Sequence, residues 1–153
     1  MKGKEFIALA GKWVAPLDPG EPTCRSSFSR AYYGAMHHCF EFFEDSLALR
    51  CVRSSLRHQQ LPLALKLIPS LKAAAEQLEG LGRLRREADY DIHMAKSNER
   101  KGAMLAVEQA NEFESTLKRF SETGDLRLAQ AAVMAEIGSG KELAGWTVLR
   151  TPP

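Results

Sequence analysis

The segment CRSSFSRAYYGAMHHCFEFFEDSLAL, Cys24 to Leu49, has the strongest helical pattern in the sequence. Aromatic and small apolar side chains recur in it at spacings of three and four residues, the repeat of one face of an α-helix. The members of this series are Phe28, Tyr32, Ala35, Cys39, Phe42 and either Ser46 or Leu47. The stretch therefore predicts a long helix, rich in aromatic residues and central to the core, with Thr23 as its N-cap.

Similar apolar periodicity predicts further helices over residues 5–14, 67–88, 98–122 and 125–137. The proline-rich segment APLDPGEPT ends the first of these, and residues 50–62 form a connector with Pro62 in a first turn. Pro69 is expected to start or kink the 67–88 helix, and Gly124 to stop the 98–122 helix. Gly80 and Gly82 indicate either a close approach by another helix or subunit, or an incomplete helix.

These patterns predict an all-α protein, built as an antiparallel up-and-down bundle of four to five helices. No strand-type alternation stands out in the sequence. We expect residues 1–124 to form the bundle, and residues 125–153 to form a C-terminal extension of one helix and a loosely packed tail.

Composition limits the classes of function. The chain has 153 residues, of which 44% are hydrophobic and 26% are charged, with a net charge of +2. That charge is too small to indicate nucleic-acid or membrane binding unless basic residues cluster locally. Three cysteines without C-x-x-C spacing argue against a disulfide framework or a zinc site. Without a run of about 18 apolar residues, we expect a soluble, cytoplasmic protein with no membrane association.

Two motifs are set aside. GSGK, at Gly138 to Lys141, lacks the upstream glycine and the Ser or Thr after the lysine that a phosphate-binding loop requires. His37 and His38 are adjacent and so point about 100° apart on a helix, which makes it difficult for both to bind one metal ion. We expect one of them to be half buried and the other exposed, and we expect neither a metal nor a cofactor.

A cluster of ionisable residues closes the 67–88 pattern in the segment LRREADYDIH, Leu84 to His93. On a helix Asp89 is a neighbour of both Arg85, at i,i+4, and Arg86, at i,i+3, and Arg86 shares a face with Tyr90. A guanidinium that Asp89 holds in place, with a histidine nearby, is suited to binding phosphate. The alternative is a helix C-terminus that carries ordinary surface charge pairs.

The segments SRAYYGAMHHCFEFF, residues 29–43, and LRREADYDI, residues 84–92, together resemble the HEPN family (higher eukaryotes and prokaryotes nucleotide-binding). Its small helical bundles carry an R-A-Y-Y segment on one helix and end a later helix in R-x-x-A-D-Y. The final helix of the family is similar to the segment VEQANEF, residues 107–113. The resemblance covers residues 5–122 and implies a HEPN-like bundle.

Many HEPN proteins are metal-independent ribonucleases that work as dimers, with an Arg and a His from a short segment meeting at the symmetry axis. The resemblance implies that Arg86 and His93 are the catalytic residues of an endoribonuclease or RNA-binding protein in a toxin, defence or stress system. Arg83 and Arg85 would hold the RNA backbone beside Tyr90, and Arg30 would orient Asp89 or the phosphate. The alternative is a non-catalytic HEPN homodimer that binds a nucleotide or a partner protein such as a nucleotidyltransferase.

Overall fold

A computed structural model describes residues 2–52, 57–91, 96–140, 143 and 145–149, with residues 96–99 described by their backbone alone. About 81% of the described residues are helical. The described part contains six α-helices, which are α1 (Gly3–Val14), α2 (Glu21–Glu41), α3 (Arg57–Lys66), α4 (Lys72–Tyr90), α5 (Lys96–Thr123) and α6 (Leu126–Ser139). Two short strands, β1 (Leu49–Cys51) and β2 (Trp146–Val148), complete it. The prediction of an all-α protein is therefore confirmed at the level of class.

The long helices lie close to their predicted positions, because their apolar stripes are buried. Pro69 begins a single 3-10 turn, Pro69–Leu71, that leads directly into α4. Gly124 follows the end of α5 as predicted, and its amide donates to the Phe120 carbonyl. Asp125 then caps α6 by accepting a hydrogen bond from the Leu128 amide.

Thr23 is not the N-cap of α2, contrary to the prediction, since the helix already begins at Glu21. Pro22 falls in the first turn, where the amide that proline lacks has no helical partner in any case. Gly20 precedes the helix with φ +72° and accepts the first hydrogen bond, from the Cys24 amide. Thr23 instead lies within the helix, where its carbonyl accepts a hydrogen bond from the Ser27 hydroxyl.

The chain divides into two compact units. Unit 1 contains residues 1–38 and 77–114, which are α1, most of α2, the second part of α4 and much of α5. Its core forms around α2, with Phe28, Ala31, Tyr32 and Ala35 all buried. The partner helices bury Ile7 and Ala10 from α1, Leu78, Leu81 and Ala88 from α4, and Ala103, Ala106, Ala110 and Phe113 from α5.

Glycines allow the helices of unit 1 to approach α2 closely. A Cβ atom on Gly34 would lie 2.4 Å from Ile7 Cγ1, and one on Gly3 would lie 2.8 Å from the Gly34 carbonyl oxygen. A Cβ atom on Gly82 would lie 3.3 Å from the Tyr32 ring. The close approach predicted for the α4 glycines is therefore found at Gly82, whereas Gly80 has no neighbour nearer than 4.0 Å.

Unit 2 contains residues 39–76 and 115–153. At its start the helical chain widens into a single π-helical segment, Phe42–Ser46. Both Phe42 and Phe43 are buried there, although adjacent residues of a regular helix point in different directions. Their rings pack edge to face, 5.4 Å apart, and Phe43 also meets the Trp146 ring at 4.9 Å.

The connector predicted for residues 50–62 is wrong in two respects. Its second half belongs to α3, where Pro62 lies inside the helix rather than in a first turn. Proline costs this helix one backbone hydrogen bond, and burial of Leu61, Ala64 and Leu65 offsets that loss. Its first half includes β1, which pairs with β2 in an antiparallel register of Leu49 with Val148 and Cys51 with Trp146.

The prediction of a loosely packed tail after α6 does not fit two described residues of that tail. Leu143 and Trp146 are buried, and β2 is held by β1. Two flanking hydrogen bonds extend the pairing, from the Val52 amide to Gly145 and from the Leu149 amide to Ala48. Residues 125–153 thus belong to the same compact unit as residues 39–76, instead of forming a separate extension.

Candidate functional site

The two segments that carry the family resemblance meet within unit 1, where the end of α4 packs on α2. Asp89 is the centre of this contact. Its Oδ2 lies 2.7 Å from Arg85 Nε, in an i,i+4 ion pair, and its Oδ1 accepts a hydrogen bond of 2.5 Å from the Ser29 hydroxyl on α2. Asp89 therefore holds one arginine in a defined orientation and is itself held by the neighbouring helix.

Aromatic rings on both helices fix the same arginine. The Arg85 guanidinium carbon lies 5.5 Å from the centroid of the Tyr33 ring and 5.9 Å from that of the Tyr90 ring, distances at which a cation is attracted to a ring face. The prediction paired Tyr90 with Arg86 instead. Arg85 takes that place because its side chain lies against α2, with only 22% of its surface exposed.

Arg86 and Arg83 are exposed. Among the described residues, no ion pair or hydrogen bond of the Arg86 side chain is present, so its five donors face solvent. Adjacent residues of a helix point about 100° apart, which explains why Arg85 contacts α2 while Arg86 does not. His93, the other predicted catalytic residue, lies outside the described residues.

Of the two roles predicted for Arg30, the described contacts do not include orienting Asp89, and orienting the phosphate stays a prediction. Its guanidinium lies between two rings of α1, at 5.7 Å from the centroids of both Phe6 and Trp13. Ser29 performs the role expected of Arg30, because it is the residue of α2 that bonds the Asp89 carboxylate. The hydroxyl gives no sequence signal of its own, since its partner is sixty residues away.

Arg25 is a functional candidate that the sequence reasoning missed. Its Nη1 donates to the carbonyl oxygens of Ala88 and Asp91, each at 2.7 Å, and its Nε donates to Glu21 at 2.9 Å. The last carbonyls of a helix carry partial negative charge, which repels anions. Arg25 offsets that charge at the end of α4, beside Arg85. The one sequence hint is the i,i+4 spacing of Glu21 and Arg25.

The motifs set aside earlier have structural roles. Gly140 ends α6 in the left-handed conformation, with φ +68°, and its amide donates to the Ile137 carbonyl. His37 stacks on the Phe6 ring at 5.2 Å, and His38 Nε2 lies 3.5 Å from Glu114 Oε2. Both histidines are partly buried, whereas the prediction placed one of them at the surface.

The chain matches no family model, no curated protein and no solved structure in comparisons with known proteins. In the described ranges, none of the helices combines the length and the apolar character needed to cross a membrane.

Proposed function

We propose that the chain is a HEPN-type, metal-independent endoribonuclease that acts as a homodimer of up-and-down helical bundles. The proposal is supported by the resemblance of residues 29–43 and 84–92 to the family, and by the direct contact between the helices that carry them. That contact joins Ser29 to Asp89 and Tyr33 to Arg85. It brings arginines together at one end of α4, although the net charge of the whole chain is only +2.

The main support for the proposal is that the adjacent residues Arg85 and Arg86 have different surroundings. Asp89 pairs with Arg85, so the carboxylate is neutralised by a residue other than the proposed catalytic one. Arg86 is thereby left exposed and available for a phosphate. A binding module without catalysis, the alternative, would be favoured by the opposite arrangement, with Arg86 paired to Asp89.

The reaction follows from the chemistry of these groups. A ribose 2′-oxygen attacks the adjacent phosphorus, and His93 and its symmetry mate move the protons: one imidazole accepts the 2′ proton and the other gives a proton to the leaving 5′-oxygen. Arg86 stabilises the negative charge that grows on the phosphate oxygens in the transition state. The P–O5′ bond breaks, which leaves a 2′,3′-cyclic phosphate and a 5′-hydroxyl. DNA is not cut, because it lacks the nucleophile.

Three further arginines position the substrate or the catalytic residues and take no part in the proton transfers. Arg85, fixed by Asp89 and two tyrosine rings, adds positive charge beside the phosphate. Arg83 is exposed one helical turn before Arg86 and is available for a neighbouring phosphate. Arg25 reduces the unfavourable charge of the α4 C-terminus by binding its carbonyls.

Incubation of the purified protein with a mixed RNA substrate in EDTA tests this function. We expect cleavage products with 2′,3′-cyclic phosphate ends, and loss of cleavage in Arg86→Ala and in His93→Ala. Arg119→Ala is the matched control, since Arg119 is an exposed arginine of α5 in the other unit. Absence of cleavage, or equal cleavage by all four proteins, would contradict the proposal and favour the binding module.

The dimer is tested separately by sedimentation. A homodimer should have twice the 17.0 kDa mass of one chain at the concentrations where RNA is cleaved. A monomer that cleaves RNA at full rate would overturn the dimeric part of the proposal and leave the ribonuclease activity standing.

A further inference from the structure

Tyr90 is an unusually exposed aromatic residue. It is the last residue of α4, and 74% of its surface is accessible, whereas Tyr32 is buried and Tyr33 is partly buried. Large aromatic side chains usually bury much of their surface, because burial of this large apolar area stabilises the fold. A ring left in solvent beside a basic cluster is therefore suited to binding something from outside the fold.

The Tyr90 ring is anchored on one side. Arg85 lies 5.9 Å from its centroid, and Arg85 is itself fixed by Asp89 and by the Tyr33 ring at 5.5 Å. The Tyr33 ring in turn lies 6.4 Å from Phe6. The exposed ring is thus the outermost member of a series of neighbouring groups, Phe6, Tyr33, Arg85 and Tyr90, that begins inside unit 1.

Arg86 lies near this ring on α4, and the two side chains together indicate the chemistry of a ligand that could bind both. Residues four apart on a helix lie about 5–6 Å apart at Cβ, so Arg86 and Tyr90 present a cation and a ring on adjoining parts of the same surface. A nucleotide has the same two features at a similar separation, a charged phosphate and a flat base. In single strands the base presents its face to aromatic side chains, whereas in a duplex that face is stacked on other bases.

We propose that Tyr90 stacks on an unpaired base of the RNA next to the phosphate that Arg86 binds, and so selects single-stranded segments. This inference rests on the proposed function, because it assigns a specificity to the same site. Arg85 is a positioning residue for the ring and needs no direct contact with the base.

Binding of a 2′-O-methyl oligonucleotide tests the inference, since this RNA analogue lacks the nucleophile and stays intact. The dissociation constant is measured for a single strand and for a blunt-ended, fully paired duplex with the same number of phosphates. Tyr90→Leu should weaken binding of the single strand by roughly 5- to 150-fold, the range that base–aromatic stacking contributes. It should change duplex binding less than twofold, and Tyr90→Phe, which keeps the ring, should bind like the wild type.

Two controls separate this inference from the proposed function. Leu128→Ala, which alters another exposed apolar residue, should change neither constant. Arg86→Gln should weaken both, because it removes a phosphate contact. If Tyr90→Leu binds the single strand as tightly as the wild type while Arg86→Gln binds it more weakly, the stacking inference is wrong. The proposed function is then unaffected. Absence of any binding by the wild type contradicts both the stacking and the function on which it rests.

Discussion

Arg25 makes three hydrogen bonds, of which two tie the end of α4 to α2 and the third, to Glu21, lies within α2. Two of them reach main-chain carbonyls more than sixty residues away, and the side chain is only 17% exposed. Hydrogen bonds from a charged donor contribute more than neutral ones. Arg25 therefore links the end of α4, where Asp89 pairs with Arg85, to α2.

Arg25→Met keeps the aliphatic stem and removes every donor. We expect the free energy of unfolding to fall by about 2 kcal/mol, the value of charged hydrogen bonds at a largely buried site. Arg25→Lys should lose less, since it keeps the charge but cannot reach all three oxygens in one geometry. Urea denaturation followed by circular dichroism measures both variants. An Arg25→Met protein as stable as the wild type would show that these contacts are not maintained in solution.

Cys39 illustrates a second residue-scale effect. Complete burial raises the pKa of its thiol well above the usual value of 9.0. The Cys39 thiol therefore ionises at a lower pH in the unfolded chain than in the folded one. Its contribution to the free energy of unfolding is fully present below pH 9 and is lost as the pH rises toward the pKa of the folded state. The free energy of unfolding should fall more steeply above pH 9 in the wild type than in Cys39→Ala. Parallel pH profiles for the two proteins would contradict this.

The α-helices show which elements the sequence alone could predict. α2, α4 and α5 were predictable because their apolar residues repeat every three to four positions and the repeat is what the core requires. Strands of three residues, by contrast, are too short to show alternation. Leu49 finds its partner Val148 almost a hundred residues away, and only the folded chain brings them together. Long-range pairing of this kind leaves no local signal.

The glycines of GSGK give a test at the scale of one helix. Gly140 has φ +68°, a conformation that side chains with a Cβ adopt at a cost, while Gly138 lies inside α6 with open space around it. Gly140→Ala should destabilise the protein by about 1 kcal/mol. Gly138→Ala should instead stabilise it by about 0.5–1 kcal/mol, because alanine favours helix. Thermal unfolding compares the two, and effects of the same sign would contradict the assigned end of α6.

Within the candidate site the same limit applies. Helix spacing predicted that either Arg85 or Arg86 could pair with Asp89, because both lie within one turn of it. Only the structure shows that Arg85 is the partner. The contacts of Arg25 and Ser29 were not predictable, because they depend on how α2 and α4 pack. The ring pair that encloses Arg30 was missed for the same reason.

At the scale of the whole molecule, the C-terminal part of the chain stabilises unit 2. Trp146 is 7% exposed and packs on Phe43, so its indole contributes to the core formed by residues far earlier in the chain. A truncated chain that ends before residue 143 would lose both this side chain and β2. The segment is therefore part of the fold, and its removal should affect stability before function.

Trp146→Ala should lower the free energy of unfolding by about 3–5 kcal/mol, as for other large core residues, and Trp146→Phe should lose less. Fluorescence gives an independent check, because the chain has two tryptophans. In a Trp13→Phe protein the remaining emission, from Trp146, should be blue-shifted when folded and move to the red on unfolding. Emission typical of exposed indole in the folded protein would contradict the burial of Trp146.

Arg85 is fixed in the structure by Asp89 and Arg86 is exposed, so we propose that these adjacent arginines have different roles and that Arg86 binds the phosphate. The rate of RNA cleavage in EDTA, compared between Arg86→Ala and Arg85→Ala, tests it most directly. We predict that Arg86→Ala lowers the rate by roughly 100- to 1000-fold, as for loss of a group that stabilises the transition state, at an unchanged melting temperature. Arg85→Ala should lower the melting temperature. Its fold-loss of cleavage rate should be at least ten times smaller than that of Arg86→Ala. Equal loss of rate in the two variants, or a larger loss in Arg85→Ala, would contradict the assignment of the phosphate to Arg86.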